Sequence, residues 1–298
     1  MMLRVHPGGS RADDVTQLLA PTPYRFIREL GRGAAGCVYE IEHEFLGRRL
    51  ALKVLHSNGR ESASAARMQV EAQVLGRIRH PNVVEVIDFW IAADGRPCIV
   101  MELLQGHTLA ARLDEAPQLP VAEVIELGVQ TLSALTMAHS LGVVHRDLKP
   151  ENLFLHVPIG GASTVVKVLD FGLVRVLART ALNTGALTPM RTATGALIGS
   201  PRYMSPEALA GDRVDPRADL YSLGVILYFA LAGTGPYDET DAWPPRAPST
   251  LRADGGLPAL DTLLLRAIAP GIHDRFSSAE EFLERLAPMR ASRVHARN

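Results

Sequence analysis

Two rhythms of apolar residues divide the chain. Between residues 24 and 103 the pattern is mostly that of short strands, at 24–30, 37–42, 49–55, 83–90 and 97–103. In the second run Val38 and Glu40 fall on one side and Tyr39 and Ile41 on the other, as on a pleated strand. One helix interrupts the strands: over 61–79, Glu71, Leu75 and Ile78 share a face, and His80-Pro81-Asn82 ends it. Past Gln105-Gly106 the period becomes helical. Residues 121–140 carry Ile125, Gly128, Leu132, Leu135 and His139 along one stripe, with Gly142 just beyond the end. Asp215-Pro216 predicts a helix start running to about 232, and Ser277 with Glu280 reads as a capping box opening a last helix to about 286. The predicted class is α+β: a small sheet half over 24–104 with one helix, then a larger helical half over 105–287, hinged near 104–106. Residues 1–23, rich in Pro, Gly and Thr, read as a flexible leader, and 288–298 as a short basic tail.

Composition narrows this picture. The formal charge of −1 lacks the basic excess of a nucleic-acid binder. Two cysteines, Cys37 and Cys98, argue against a disulfide framework or a metal cluster and fit a reducing cytosol, so a cytoplasmic location is expected. Residues 1–20 have no unbroken apolar core, which excludes a signal peptide. The longest apolar run, 220–232, falls short of the roughly 20 residues that span a bilayer. Only three of the 31 basic residues are lysines: Lys53, Lys149 and Lys167. In an arginine-rich chain, a lysine that survives invites a chemical reason.

The run Gly31-Arg32-Gly33-Ala34-Ala35-Gly36-Cys37-Val38 is G-x-G-x-x-G-x-V. A strand follows it, not the helix that a dinucleotide fold requires, so it reads either as a flap of backbone amides over phosphates or as an ordinary hairpin. Lys53 lies in the strand Ala51-Leu52-Lys53-Val54, where a compact ammonium on a flexible stem suits phosphate. Glu71, on the apolar face of the next helix, needs a counter-charge, and Lys53 is the available one.

His145-Arg146-Asp147-Leu148-Lys149-Pro150-Glu151-Asn152 resembles the catalytic loop of serine/threonine protein kinases, and Asp170-Phe171-Gly172 resembles their D-F-G. The motifs run in family order over most of the chain, and the chain is identified as a member of the bacterial serine/threonine protein kinase family. The resemblance implies a two-lobed kinase fold, with a small antiparallel sheet lobe and a larger helical lobe. It implies transfer of the γ-phosphoryl group of ATP to protein hydroxyls, with Mg²⁺ as cofactor and Mn²⁺ able to replace it. Asp147 would orient the substrate hydroxyl and take its proton, Lys149 would neutralise the γ-phosphate, Lys53 would anchor the α- and β-phosphates in an ion pair with Glu71, and Asn152 and Asp170 would hold the metal. The nucleotide would lie among Leu30, Gly31, Arg32, Gly33, Gly36, Val38, Ala51 and Phe154, with Met101 as gatekeeper and the backbone of Glu102 and Leu104 bonding adenine. His145 would stack beneath Phe171 as a structural group.

Further along, 199–207 is similar to the family's G-T-P-x-Y-M-x-P-E run. By that match Glu207 pairs with Arg275, and Asp219 ties the catalytic-loop backbone to the helix below. Thr192 and Thr194 fall where related kinases autophosphorylate, which implies activation there, in trans where a homodimer forms. Protein substrates are the expected partners, with no nucleic acid and no membrane span. The stretch 235–258 is short and Pro-rich, so the family's substrate-docking helix there is expected to be reduced. Two other classes keep the same fold: an inactive scaffold, which would lack one of Lys53, Asp147, Asn152 or Asp170, and a small-molecule phosphotransferase, which would lack the glycine flap and the Pro206-Glu207 closure.

Overall fold

The structure is a computed structural model of the 298-residue chain, and it describes residues 11–33, 36–56, 76, 78–161, 163–171, 201–238 and 243–290. The chain divides into two compact units, one built from residues up to 79 and 84–104, the other from 80–83 and from 105 onward, apart from a short stretch outside the described residues.

The first unit is an antiparallel five-stranded sheet. Its strands are β1 (Tyr24–Gly33), β2 (Gly36–His43), β3 (Arg48–Leu55), β4 (Val86–Ile91) and β5 (Pro97–Glu102), in the order β1-β2-β3-β5-β4. Alternation sorts the side chains onto two faces. Cys37, Tyr39 and Ile41 of β2 join Leu50, Leu52 and Val54 of β3 and Cys98 and Val100 of β5 in one buried cluster. Burial pushes the Cys98 thiol up to about 12, so it behaves as a small hydrophobe.

The cover of that cluster overturns the expectation of a loose leader. Residues Arg11–Leu19 form a helix, α1, and its Val15, Leu18 and Leu19 are buried in the cluster. Their spacing of i, i+3, i+4 places all three on one helical face. Asp14 receives both terminal nitrogens of Arg96, at 2.9 and 3.1 Å. Tyr24 stacks on Trp90, with ring centroids 6.1 Å apart, and donates its hydroxyl to Asp88 at 3.1 Å.

The second unit begins with β6 (Gly106–Thr108) and α2 (Leu109–Glu115), followed by α3 (Val121–Ser140). Strands β7 (Leu153–His156) and β8 (Val165–Val168) complete a three-stranded sheet with β6. Helices α4 (Pro206–Ala210), α5 (Arg217–Ala232), α6 (Pro258–Ala267) and α7 (Ala279–Leu286) follow. By length and composition α3 could cross a membrane, yet 61% of its most apolar window is buried inside the protein. Gly128 on α3 lets the helices close up, because a Cβ there would lie 2.7 Å from Leu286 and 3.0 Å from Leu227. Helix α5 begins one residue later than expected, with Pro216 at the N-cap position instead of inside the helix, and the Asp215 carboxylate accepts the Arg217 N–H at 2.8 Å.

The capping box of α7 sits one residue later than the pattern suggests. Ser278 accepts the Glu281 N–H at 3.1 Å, while Glu281 accepts the Ser277 N–H at 2.7 Å. The tail is also more ordered at its start than a solvated end: Ala287–Arg290 is a 3₁₀ turn, and Arg290 forks onto Glu126 with two contacts of 2.8 Å. Among the described residues between 235 and 257 the only helical piece is a 3₁₀ turn, Pro248–Leu251.

Candidate active site

In the sheet unit, the face opposite α1 carries the nucleotide-binding candidates. Lys53 lies between Leu52 and Val54, which point into the buried cluster, so its stem lies on the other face, beside Val38 on β2 and Ile99 on β5. Ala51 pairs with Met101 and stands on the same face. Lys53 is only 9% exposed. Glu71, its expected partner, lies outside the described residues.

The glycines divide by cause. A Cβ on Gly36 would strike the carbonyl oxygen of Val54, so the approach of β2 to β3 demands glycine. At Gly31 and Gly33 a Cβ would meet nothing within 4 Å, so neither packing accounts for these two glycines. The hairpin closes at the pair Gly33↔Gly36, and Leu30 sits at an irregularity of register between Glu29 and Gly31. Arg32 reaches back to Glu29 at 3.3 Å on the surface. At the end of β5 the Glu102 N–H donates to the Glu85 carbonyl at 3.0 Å, and the Glu102 carboxylate accepts the Glu85 N–H at 2.9 Å. Leu104 is half-buried two residues on.

In the helical unit, the catalytic loop is held from below. Asp219 on α5, 1% exposed, accepts the backbone N–H groups of His145 and Arg146, each at 2.8 Å. Burial alone would raise its carboxyl, but the His139 hydrogen bond, the electrostatic interaction with the two imidazoles and the Arg146 N–H hold it below the ordinary carboxylate range. Arg146 has a left-handed backbone, φ 65°, which costs about 1 kcal/mol for a residue with a Cβ. The bond from its N–H to Asp219 helps hold that conformation. His145 is fully buried; its Nδ1 accepts the Asp147 N–H at 3.3 Å and its Nε2 faces the Leu169 carbonyl at 2.8 Å. An imidazole with hydrogen on Nε2 alone satisfies both bonds. Its ring lies 5.0 Å from that of Phe171, so His145 is packed and hydrogen-bonded as a structural group.

Above this base the reactive groups converge. Lys149 Nζ donates to Asp147 Oδ2 at 2.9 Å. Asn152, at the end of the 3₁₀ turn Pro150–Asn152, donates its side-chain nitrogen to the Asp147 carbonyl at 2.8 Å. That use of its nitrogen leaves the amide oxygen as acceptor for a cation. The Leu169 N–H donates to the Asn152 carbonyl at 2.9 Å, tying the loop to the strand that leads into Asp170. Asp170 is itself left-handed, φ 54°. With Asn152 it offers an all-oxygen donor pair, the set a hard cation such as Mg²⁺ takes. Phe154 follows on β7, opposite Thr108 and Lys167.

Arg275 fixes the end of the segment at Glu207. The two form a fork of 2.8 and 2.9 Å, with the Arg275 side chain fully buried. Burial pushes the Glu207 carboxyl up, but the hydrogen bonds and the charge of Arg275, with the backbone N–H of Glu207 itself, outweigh that and hold it low. Thr192 and Thr194 lie outside the described residues. One supporting residue escaped the sequence reading: His139, which donates Nε2–H to Asp219 at 2.8 Å. Its signal was a polar residue on an otherwise apolar helical stripe.

A protein kinase domain model matches residues 24–246. The serine/threonine-protein kinase pkn3 of Myxococcus xanthus is 38% identical over 270 residues, which is 87% of this chain and 48% of that protein. PknD of Mycobacterium tuberculosis is 35% identical over 267 residues, 86% of this chain and 38% of that one. The chain thus spans less than half the length of these curated relatives. The crystal structure of the kinase domain of Mycobacterium tuberculosis PknI is similar at a TM-score of 0.69 and 32% identity, over 90% of this chain and 96% of that one. With the loop 145–152, Asp170 and the Glu207–Arg275 fork in place, the chain belongs to the protein kinase family, in its bacterial serine/threonine branch.

Proposed function

We propose that the chain transfers the γ-phosphoryl group of ATP to serine or threonine hydroxyls of proteins. The observation that carries this reading is the cluster of Asp147, Lys149 and Asn152 on a backbone pinned by Asp219. The substrate hydroxyl oxygen forms the new bond to phosphorus, its proton passes to an Asp147 carboxylate oxygen, the bond to the β-phosphate oxygen breaks, and ADP leaves. Lys149, already 2.9 Å from Asp147, brings positive charge beside the transferred group. Lys53 and the amides of the glycine hairpin bind phosphate oxygens, which supplies the reason for Gly31 and Gly33 that packing does not. Leu30, Val38, Ala51, Met101 and Phe154 supply apolar contacts to the base, and the backbone of Glu102 and Leu104 its hydrogen bonds. Mg²⁺, or Mn²⁺ in its place, neutralises phosphate charge when bound by Asn152 and Asp170. Glu71 pairs with Lys53. Phosphorylation of Thr192 or Thr194 by a second copy of the chain activates the enzyme, and the reaction takes place in the cytoplasm.

The test is label transfer from γ-labelled ATP with Mg²⁺ to the chain itself and to a casein-like acceptor, alongside Asp147→Asn. Label on serine or threonine is expected, reduced by about 10²–10⁴-fold in the variant. Binding of ATP with no label on any protein acceptor would sink the proposal and favour a scaffold.

A further inference from the structure

The open edge of the β6–β8 sheet is closed by four residues from a distant part of the chain. Strand β8 is the last of its sheet, with β7 on one side. Residues 80–83, which lie between two stretches of the sheet unit, belong to the helical unit and take the other side. Val83 bridges Val168 in parallel, and the Val168 N–H donates to the Asn82 carbonyl at 2.8 Å. The Asn82 side chain, 8% exposed, donates Nδ2–H to the Val166 carbonyl at 2.9 Å and to Gln130 Oε1 at 2.7 Å. Two residues past Val168 the chain reaches Asp170. Asn82 thus holds the strand that leads to Asp170 along the edge its own sheet leaves open.

His80, which no step of the proposed reaction uses, fixes Asn82. Its Nδ1 accepts the Asn82 N–H at 3.1 Å, and its Nε2 lies 3.1 Å from Ser133 Oγ on α3. A ring with hydrogen on Nε2 alone satisfies both contacts, whereas a hydrogen on Nδ1 would point at the Asn82 N–H and end that bond. Among the described groups, the charge that bears on the half-buried ring is Lys167 of β8, whose Nζ donates to the Val83 carbonyl at 3.4 Å. Glu126 of α3 meets the cluster at Gln130, at 2.7 Å, and Arg79, next to His80 in the chain, is exposed. Burial, and then the Lys167 charge, hold His80 below the ordinary imidazole value.

We propose that His80 is a positioning residue for Asp170, acting through Asn82 and β8, and that its neutral form alone holds the strand in place. A proton on Nδ1 takes the bond from Asn82 and sets two cations, His80 and Lys167, against one strand edge. Mild acid therefore loosens the anchor before the carboxylates titrate. The stability that the neutral ring contributes is complete above its unfolded value of about 6.5 and is lost as pH falls through the lower folded value. The link to catalysis rests on the kinase reading of Asp170; the anchor itself does not.

Three measurements on the whole chain test this. Nitrogen shifts of histidine-labelled protein read the ring directly, with His80→Asn identifying its signal. Nδ1 is expected bare at neutral pH, with a midpoint below about 6.5 that rises toward that value in Lys167→Met. The melting temperature is expected to fall between about pH 6.5 and 5 in wild type, and less in His80→Asn, whose amide oxygen accepts the Asn82 N–H at every pH. The kcat for label transfer to a protein acceptor, taken as the ratio of wild type to His80→Asn, is expected to drop by about tenfold over that range, as on losing the outer support of a metal ligand. The ionisation of ATP is common to both proteins and cancels in the ratio. If His80→Asn fails to fold, Lys167→Met serves instead, and its ring and kcat midpoints are expected to rise together. A proton on Nδ1 at neutral pH, a midpoint at or above about 6.5, or a constant kcat ratio overturns the proposal. If no label is transferred by any of the proteins, the kinase reading fails, while the ring titration and the melting curves still decide the anchor.

Discussion

The buried carboxylate of Asp219 accepts the backbone N–H of His145 at 2.8 Å, across 74 residues of sequence. The same carboxylate takes Arg146 N–H and His139 Nε2, so helices α3 and α5 and the catalytic loop meet at one side chain.

Replacing Asp219 by alanine strands three donors in a site with almost no water. Loss of a buried charged partner typically costs about 3–5 kcal/mol. Urea unfolding of Asp219→Ala is expected to show a fall of that size, with Asp219→Asn intermediate because it keeps one acceptor oxygen. A midpoint equal to wild type would show that the carboxylate does not tie the loop.

Acid should destabilise the protein through carboxylates held below their ordinary range. Asp219 and Glu207 both bind a proton less readily when folded than when unfolded. The stability they contribute is complete above the unfolded carboxylate value of about 4 and is lost as pH falls through their lower folded values. Unfolding free energy measured against pH should drop below about pH 4, and more shallowly in Glu207→Gln. An identical slope in that variant would exclude Glu207 as a contributor.

The two kinds of glycine in the hairpin predict opposite phenotypes. Gly36→Ala drives a methyl group into the β3 backbone and should lower stability by about 1–3 kcal/mol. Gly31→Ala meets nothing, so its melting temperature should match wild type, while its KM for ATP rises several-fold as the methyl obstructs phosphate. Thermal melting and ATP titration of both variants separate the cases; an unchanged KM in Gly31→Ala would remove phosphate binding from that residue.

Helix α1 should matter to stability. Leu19 is 3% exposed in the cluster beneath the sheet, and Leu19→Ala is expected to cost about 2–5 kcal/mol. A loose leader would tolerate the change without a shift in melting temperature.

What could be read in advance follows from the range of the interaction. The catalytic loop was legible because eight consecutive residues carry it. Lys53 was placed by the strand Ala51-Leu52-Lys53-Val54 and by the scarcity of lysine in the chain, both read directly from the residues. The α1 helix was hidden by the prolines and glycines around it, although Val15, Leu18 and Leu19 already had helical spacing. His139 showed as a polar residue on an apolar stripe, but its partner is 80 residues away, and no local pattern names it. The shift of the α7 cap from Ser277 to Ser278 is a choice between adjacent serines that only backbone geometry makes. Arg290 looked like one more basic residue of a tail until Glu126, on a distant helix, gave it a place.

The stack of Tyr24 on Trp90 has an optical consequence. The chain has two tryptophans; Trp90 has its indole nitrogen buried in the sheet unit, and Trp243 in the helical unit is 44% exposed. An indole in apolar surroundings emits at shorter wavelength than one in water. Each unit therefore carries its own lamp of a different colour, and the melting of one can be watched beside the other in a single unlabelled sample.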